Sequence, residues 1–153
     1  MKRGTQKRLP AFSGKREYIH LAGAYNWRTG QVSTLRVERK NGETFLAFLE
    51  QLLFQTYADQ AVILVLDNAA YHHSQAVHAL LSLLEHRVRV LWLPVYCPEL
   101  NMIERFWKHL KYHACANKLY PSLESLWANV LHLLQQQNEP SCPERLVFHK
   151  HFR

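Results

Sequence analysis

The chain has little of what would staple or anchor a protein. Its three cysteines, Cys97, Cys115 and Cys142, are odd in number, widely spaced and form no CxxC pair. That spacing indicates neither a disulfide framework nor a cysteine zinc site, and a reducing cytosol is the expected setting. No run of about eighteen apolar residues occurs, and no apolar core follows the basic opening MKRGTQKRLP, so neither a membrane span nor a secretory signal is expected. A serine elbow and a P-loop are both lacking, which disfavours an unrelated small hydrolase or nuclease. Aspartate is the scarcest charged residue, with Asp59 and Asp67 alone.

What is present suits one globular domain: 153 residues, 48% of them hydrophobic. The formal charge of +7 is unevenly placed. Lys2, Arg3, Lys7, Arg8, Lys15 and Arg16 all precede the first acid, Glu17, whereas the remainder has 13 basic residues against 12 acidic. Residues 1–16 therefore form a basic arm, which either neutralises DNA phosphates without sequence preference or stays a solvated terminus.

In order, Glu17–Tyr25 and Gln31–Glu38 read as two strands around a tight turn at Asn26–Gly30, a hairpin. Thr44–Tyr57 carries Phe45, Phe48, Leu49, Leu52 and Leu53 at helical spacing, a core stripe. Ala61–Leu66 is an unbroken apolar run of the kind buried in a parallel sheet. Ser74–His86 reads as a crossover helix and Val88–Leu93 as the next strand. The following helix buries Ile103, Phe106, Trp107 and Leu110 and carries Glu104, Lys108 and Lys111 on an adjoining stripe. A last helix, Leu123–Gln137, is expected to pack on the sheet. Residues 17–137 are thus the domain and 138–153 a tail. His109 and His113 lie four apart on one helix, but no HExxH motif or third ligand accompanies them, so zinc is not expected.

Two carboxylates sit at structural corners. Asp67 ends the buried strand and Glu104 opens the helix after the next one. If those strands are parallel neighbours with a right-handed crossover, both acids reach one edge of the sheet, where an oxygen-liganded magnesium or manganese ion is expected. Plainer readings compete. Asp67 and Asn68 suit a turn, with Ser74 capping the next helix. Asn101 suits an N-cap with Glu104 as its capping-box acid, or Glu104 pairs with Lys108.

The words around the acids favour chemistry. VLDNAAYHHS and LPVYCPELNMIERFWKHLK, with 36 residues between Asp67 and Glu104, resemble the second and third catalytic blocks of DDE transposases of the mariner superfamily, in the bacterial insertion-sequence branch. The matched residues are Asp67, Asn68, His72, Leu93, Pro94, Tyr96, Pro98, Leu100, Asn101, Ile103, Glu104 and Trp107; Cys97 stands where that family usually has serine. REYIHLAGAYNWRTGQ is similar to the family's hairpin.

The resemblance implies a ribonuclease-H-like α/β fold, a mixed sheet with flanking helices, and metal-dependent DNA cleavage and strand transfer. It implies Asp67 and Glu104 as catalytic metal ligands, with Asn68, His72 and Asn101 in the supporting loops. His72 either orients a phosphate or water or is a turn residue bonded to backbone. Lys108 and Lys111, with the N-terminal cations, would meet DNA phosphates. In that family the first acid lies on a central strand between the hairpin and the Asp67 strand, and no strand precedes Glu17 other than a short irregular piece around Leu9–Phe12. Asp59 cannot replace it, because a strand rising about 3.3 Å per residue would hold it roughly 20 Å from Asp67; Glu17 is a weak substitute. A two-metal site bound by Mg2+ or Mn2+ is therefore expected only if that acid is supplied. The expectation is the C-terminal part of a transposase, either an inactive remnant that binds DNA or a partner, or the second half of a split frame. The upstream-encoded half would carry helix-turn-helix segments and the first acid. Element ends and target DNA would be partners, the complete enzyme a homo-oligomer, and its place the bacterial cytosol and nucleoid.

Overall fold

The computed structural model describes residues 17–148. The first strand, β1, is His20–Tyr25, and β2 is Val32–Val37; they pair antiparallel from His20 opposite Val37 to Tyr25 opposite Val32. β1 is shorter than the strand expected from Glu17 because β2 ends at Val37 and leaves Glu17 and Tyr18 exposed. Between the strands the Asn26 side chain accepts from the amides of Arg28 and Thr29, at 3.0 and 3.3 Å. Gly30 closes the turn at φ 74, a left-handed conformation that a side chain would strain.

Helix α1, Gly42–Gln51, starts in a capping box: Asn41 accepts from the Thr44 amide at 2.9 Å, and Thr44 Oγ1 accepts from the Asn41 amide at 3.2 Å. The α-helix expected to run to Tyr57 instead opens into a π-helical turn, Leu52–Thr56. Arg87 accounts for the loosening, since its guanidinium donates to the carbonyls of Leu53, Tyr57 and Gln60 and so substitutes for helical amides.

Strands β3, Val62–Leu66, and β4, Val88–Trp92, pair in parallel from Val62 opposite Val88 to Leu66 opposite Trp92. Between them runs α2, Gln75–Leu83, whose N-cap Ser74 accepts from the Val77 amide at 3.4 Å. Helix α3, Met102–Cys115, and α4, Leu123–Asn138, complete the order.

The mixed sheet is present as two strand pairs. Among the described residues no backbone hydrogen bond joins β1 to β3. Their directions are nevertheless set by what they touch. Gly42, just beyond the His20 end of the hairpin, lies against Ser74 and Tyr71, near the carboxyl end of β3. At the other end Asn26 donates to Tyr57 at 3.0 Å, beside the start of β3. β1 therefore runs antiparallel to β3.

Each pair has its own core. Phe45, Phe48, Leu49, Leu52 and Leu53 bury against Leu64, Leu66, Val77, Leu81 and Val88. Val32, Phe106, Leu110, Ala114, Val130 and Leu134 form a second cluster around the hairpin and the last two helices. Both stripes match those expected from sequence. The tail is less loose than its composition suggests: Tyr25 donates to the Leu146 carbonyl at 3.0 Å and Phe148 stacks edge-on to Tyr25 at 4.9 Å. Buried Gln137, from the glutamine run, donates to Gly30 and Leu146 carbonyls and accepts from the Leu146 amide.

Candidate functional site

Asp67 follows directly on the last residue of β3, and the parallel pairing of β3 with β4 carries the chain onward from the same edge. The loop after β4 returns over that edge through Pro98–Leu100, a 3-10 turn, into α3, whose first turn bears Glu104. Asp67 and Glu104 line one cleft of about 630 Å3 together with Tyr71, His72 and Asn101. The Tyr71 hydroxyl is held above its ordinary pKa first by burial, then by the charges of Asp67 and Glu104. A phenol that feels both carboxylates is near both of them.

The surroundings of Asp67 are specific. Its Oδ1 accepts from the Ala69 amide at 3.1 Å and lies 2.9 Å from His72 Nδ1. The same His72 nitrogen is 3.0 Å from the Asp67 carbonyl oxygen, so the imidazole grips both side chain and backbone of one residue. His72 is 8% exposed and packed between Phe45 and Tyr71, with ring centroids at 4.2 and 4.5 Å. Asn101, also 8% exposed, donates from Nδ2 to Asp67 Oδ2 at 3.4 Å.

The competing readings divide. Turn chemistry at Asp67 is real, as the Ala69 bond demonstrates, and Ser74 does cap α2. At α3 the N-cap position of Asn101 makes no side-chain capping bond, so its amide is free to reach Asp67. Glu104 forms no ion pair with Lys108 among the described residues and is exposed to solvent. Asn68 turns away from the cleft and donates to the Leu93 carbonyl at 2.6 Å, tying the ends of β3 and β4 together. Lys108 and Lys111 are exposed on α3. Lys2, Arg3, Lys7, Arg8, Lys15 and Arg16 lie outside the described residues.

Two features were hidden in the sequence. Tyr71 reads as one aromatic in a polar loop, yet it lines the cleft with both acids and feels the charge of each. Tyr96, in the proline loop, has φ 63 and is 93% exposed, an uncommon backbone for a bulky residue. Asp59 lies in the turn before β3 and Asp67 just past its end, so the two aspartates are at opposite ends of one strand.

As a metal site, the donor set is hard and anionic, which fits magnesium or manganese rather than zinc. Only two acids converge: no group of three His, Cys, Asp or Glu able to hold an ion occurs among the described residues. His109 and His113 are neighbours, with ring centroids at 4.3 Å, and no third ligand joins them among the described residues. No described helix is long and apolar enough to cross a membrane.

The chain is 31% identical over 133 residues to the "Insertion element IS630 uncharacterized 39 kDa protein" of Shigella sonnei, covering 87% of this chain and 38% of that protein. Its fold is similar to the Mos1 transposase in a paired-end complex with the left transposon end, at TM-score 0.63 and 22% identity over 88% of this chain and 43% of that one. The catalytic core domain of BIV integrase is similar at TM-score 0.57 and 16% identity, covering 86% of this chain and 80% of that domain. The chain thus spans less than half the length of the insertion-element protein and of the Mos1 transposase, and the fold shared with the solved structures is the ribonuclease-H-like core. The family model described as DDE superfamily endonuclease matches residues 1–127, most of the chain. Together with the two acidic blocks at one sheet edge, that match establishes that the chain belongs to the DDE superfamily of endonucleases.

Proposed function

We propose that this chain is the C-terminal catalytic portion of an insertion-sequence transposase, acting in metal-dependent DNA strand cleavage and strand transfer. The observation that carries the reading is the convergence of Asp67 and Glu104 on one cleft at the carboxyl edge of β3, with Tyr71 close enough to feel both charges. Asp67 and Glu104 would hold Mg2+ or Mn2+, and such ions supply charge neutralisation at the attacking and leaving oxygens of phosphoryl transfer. The residues of the chain would do the rest. His72 and Asn101 hold the Asp67 carboxylate in one orientation, from opposite oxygens. Lys108 and Lys111, with the cations of residues 1–16, meet DNA phosphates, while the exposed ring of Tyr96 offers a base a stacking face.

A second reading is favoured by one observation: two acids, not three, converge among the described residues. On it the chain by itself binds DNA or a partner half without cutting. Cleavage then requires an acid from an upstream-encoded segment, and the complete transposase works as an oligomer on element ends and target in the bacterial cytosol.

Nicking of supercoiled plasmid with Mn2+ decides between them. The chain mixed with its upstream-encoded half should nick, and Asp67→Ala or Glu104→Ala should lower the rate by about 10²-fold or more, the usual loss for one transition-state group. Nicking by the isolated chain would remove the need for a third acid. Failure of every mixture would leave the binding reading.

A further inference from the structure

We propose that His73, His78 and Trp92 form a platform on which one unpaired nucleobase of a DNA strand stacks, beside the two carboxylates. The geometry of β4 places the first ring. Side chains alternate along a strand, so Val88, Val90 and Trp92 share one face. Val88 is buried in the α1 cluster and Val90 packs against it, whereas Trp92, the last of the row, is 37% exposed. His73 lies along its ring, with centroids 4.2 Å apart and planes 20° from parallel. His78, from α2, completes the group at 5.7 Å from His73 and 6.4 Å from Trp92. Both imidazoles are exposed.

The residue types dictate the chemistry of the occupant. An aliphatic side chain would close this end of the core equally well; flat rings add a surface that only a flat partner uses, because a stack can grow by one more ring. Nucleobases are such partners, since every base has a π-face and stacking tolerates any sequence. The imidazole nitrogens add hydrogen-bonding groups at the ring edges. The formal charge of +7 favours a polyanion over a neutral sugar or a free aromatic.

Position ties the platform to the acids. Trp92 stands opposite Leu66, the residue before Asp67, and His73 follows His72, whose ring grips the Asp67 carboxylate. Paired strands lie about 4.8 Å apart, and one DNA strand rises about 3.4 Å per nucleotide. A phosphate held at Asp67 and Glu104 therefore has the platform within roughly two to four nucleotides. Bases inside a duplex already stack on their neighbours, so only an unpaired base, or one turned out of its helix, offers a face. The choice of DNA rests on the function proposed above; the platform rests on the three rings.

The test uses the full chain and two short abasic DNA strands, one carrying a single central 2-aminopurine and one carrying no base. The strand with the base should bind more tightly, and its fluorescence should be quenched as the base stacks. Trp92→Leu should weaken that strand by about 5- to 100-fold and leave the baseless strand unchanged. His73→Ala should act in the same direction, Trp92→Phe should retain most of the effect, and Trp27→Ala, at an exposed ring in the hairpin turn, should change neither strand. With 5-iodouracil as the single base, light should cross-link the strand to Trp92 or His73, a result that stands even if Trp92→Leu fails to fold. Equal binding of the two strands, or cross-linking at Tyr96 alone, would overturn the platform while plasmid nicking still reads the cleavage proposal. Failure of both strands to bind would overturn the DNA reading and the platform with it.

Discussion

The hairpin of β1 and β2 is wrapped, with α1 on one face and α3 and α4 on the other. The β3–β4 pair is covered by α1 and α2 on one face only, and Ile63, Val65 and Leu91 remain 67%, 47% and 57% exposed on the other. The difference matters because the two carboxylates belong to different halves. Asp67 rides on β3, whereas Glu104 sits on a helix whose Trp107 and Phe106 pack on Gly23 and Tyr25 of the hairpin. Across the cleft, the Asn101–Asp67 contact at 3.4 Å links them directly. The acidic pair is therefore as well defined as the relation between two half-sheets, and α1, which packs on both, is the main element that sets it.

Truncations in the two cores should separate the halves. Phe106→Ala removes a ring that is 1% exposed in the hairpin cluster and should cost about 3–5 kcal/mol. Leu53→Ala, at a side chain with no exposure in the other cluster, should cost about 2–5 kcal/mol. Denaturant melts with residue-resolved amide exchange should show the first loosening β1 and β2 most, and the second β3 and β4; equal loss everywhere would mean that the halves do not behave separately. Next in size is Gly23→Ala. The new Cβ would stand 2.6 Å from the Trp107 ring, so the ring and the first turn of α3 must shift, at about 1–3 kcal/mol. If Glu104 moves with that helix, Mn2+ binding should weaken as well as stability.

Asn101→Ala should leave the fold in place and free the Asp67 carboxylate. The expected loss is about 10- to 100-fold in Mn2+ affinity, read by metal titration, with little change in the melting midpoint. The smallest effect concerns His109, whose pKa is held below its ordinary value by burial and then by His113. The folded state binds this proton less readily than the unfolded chain. Its contribution to stability is therefore complete above the unfolded value of about 6.5 and declines as pH falls through it toward the folded value. His113→Gln should flatten that slope in melts below about pH 6.5, and an unchanged slope would assign it elsewhere.

Local rules made much of this architecture legible. The stripes Phe45–Leu53 and Ile103–Leu110 state their element and buried face, whereas the apolar run of β3 states its element but not its burial: it reads as covered on both faces, and Ile63 and Val65 are exposed because α1 and α2 cover one face only. Asp67 and Glu104 were legible because each occupies a corner within a long ordered motif. Asn101 was harder: its position before α3 reads as a cap, and only the return of the loop over β3 turns its amide toward Asp67. Arg87 offered no local sign that it would donate to three carbonyls in and after the π-helical turn that follows α1, because those contacts form across the fold. Gln137 sits in a polar run that reads as solvated, and its burial depends on the docking of Leu146.

Every strand pairing in the described fold joins neighbours in the sequence, β1 with β2 and β3 with β4. In kinetic terms such contacts are cheap, since short loops close before much chain entropy has been lost. A hairpin and a strand–helix–strand unit can each form early and dock on α1 without waiting for a distant partner.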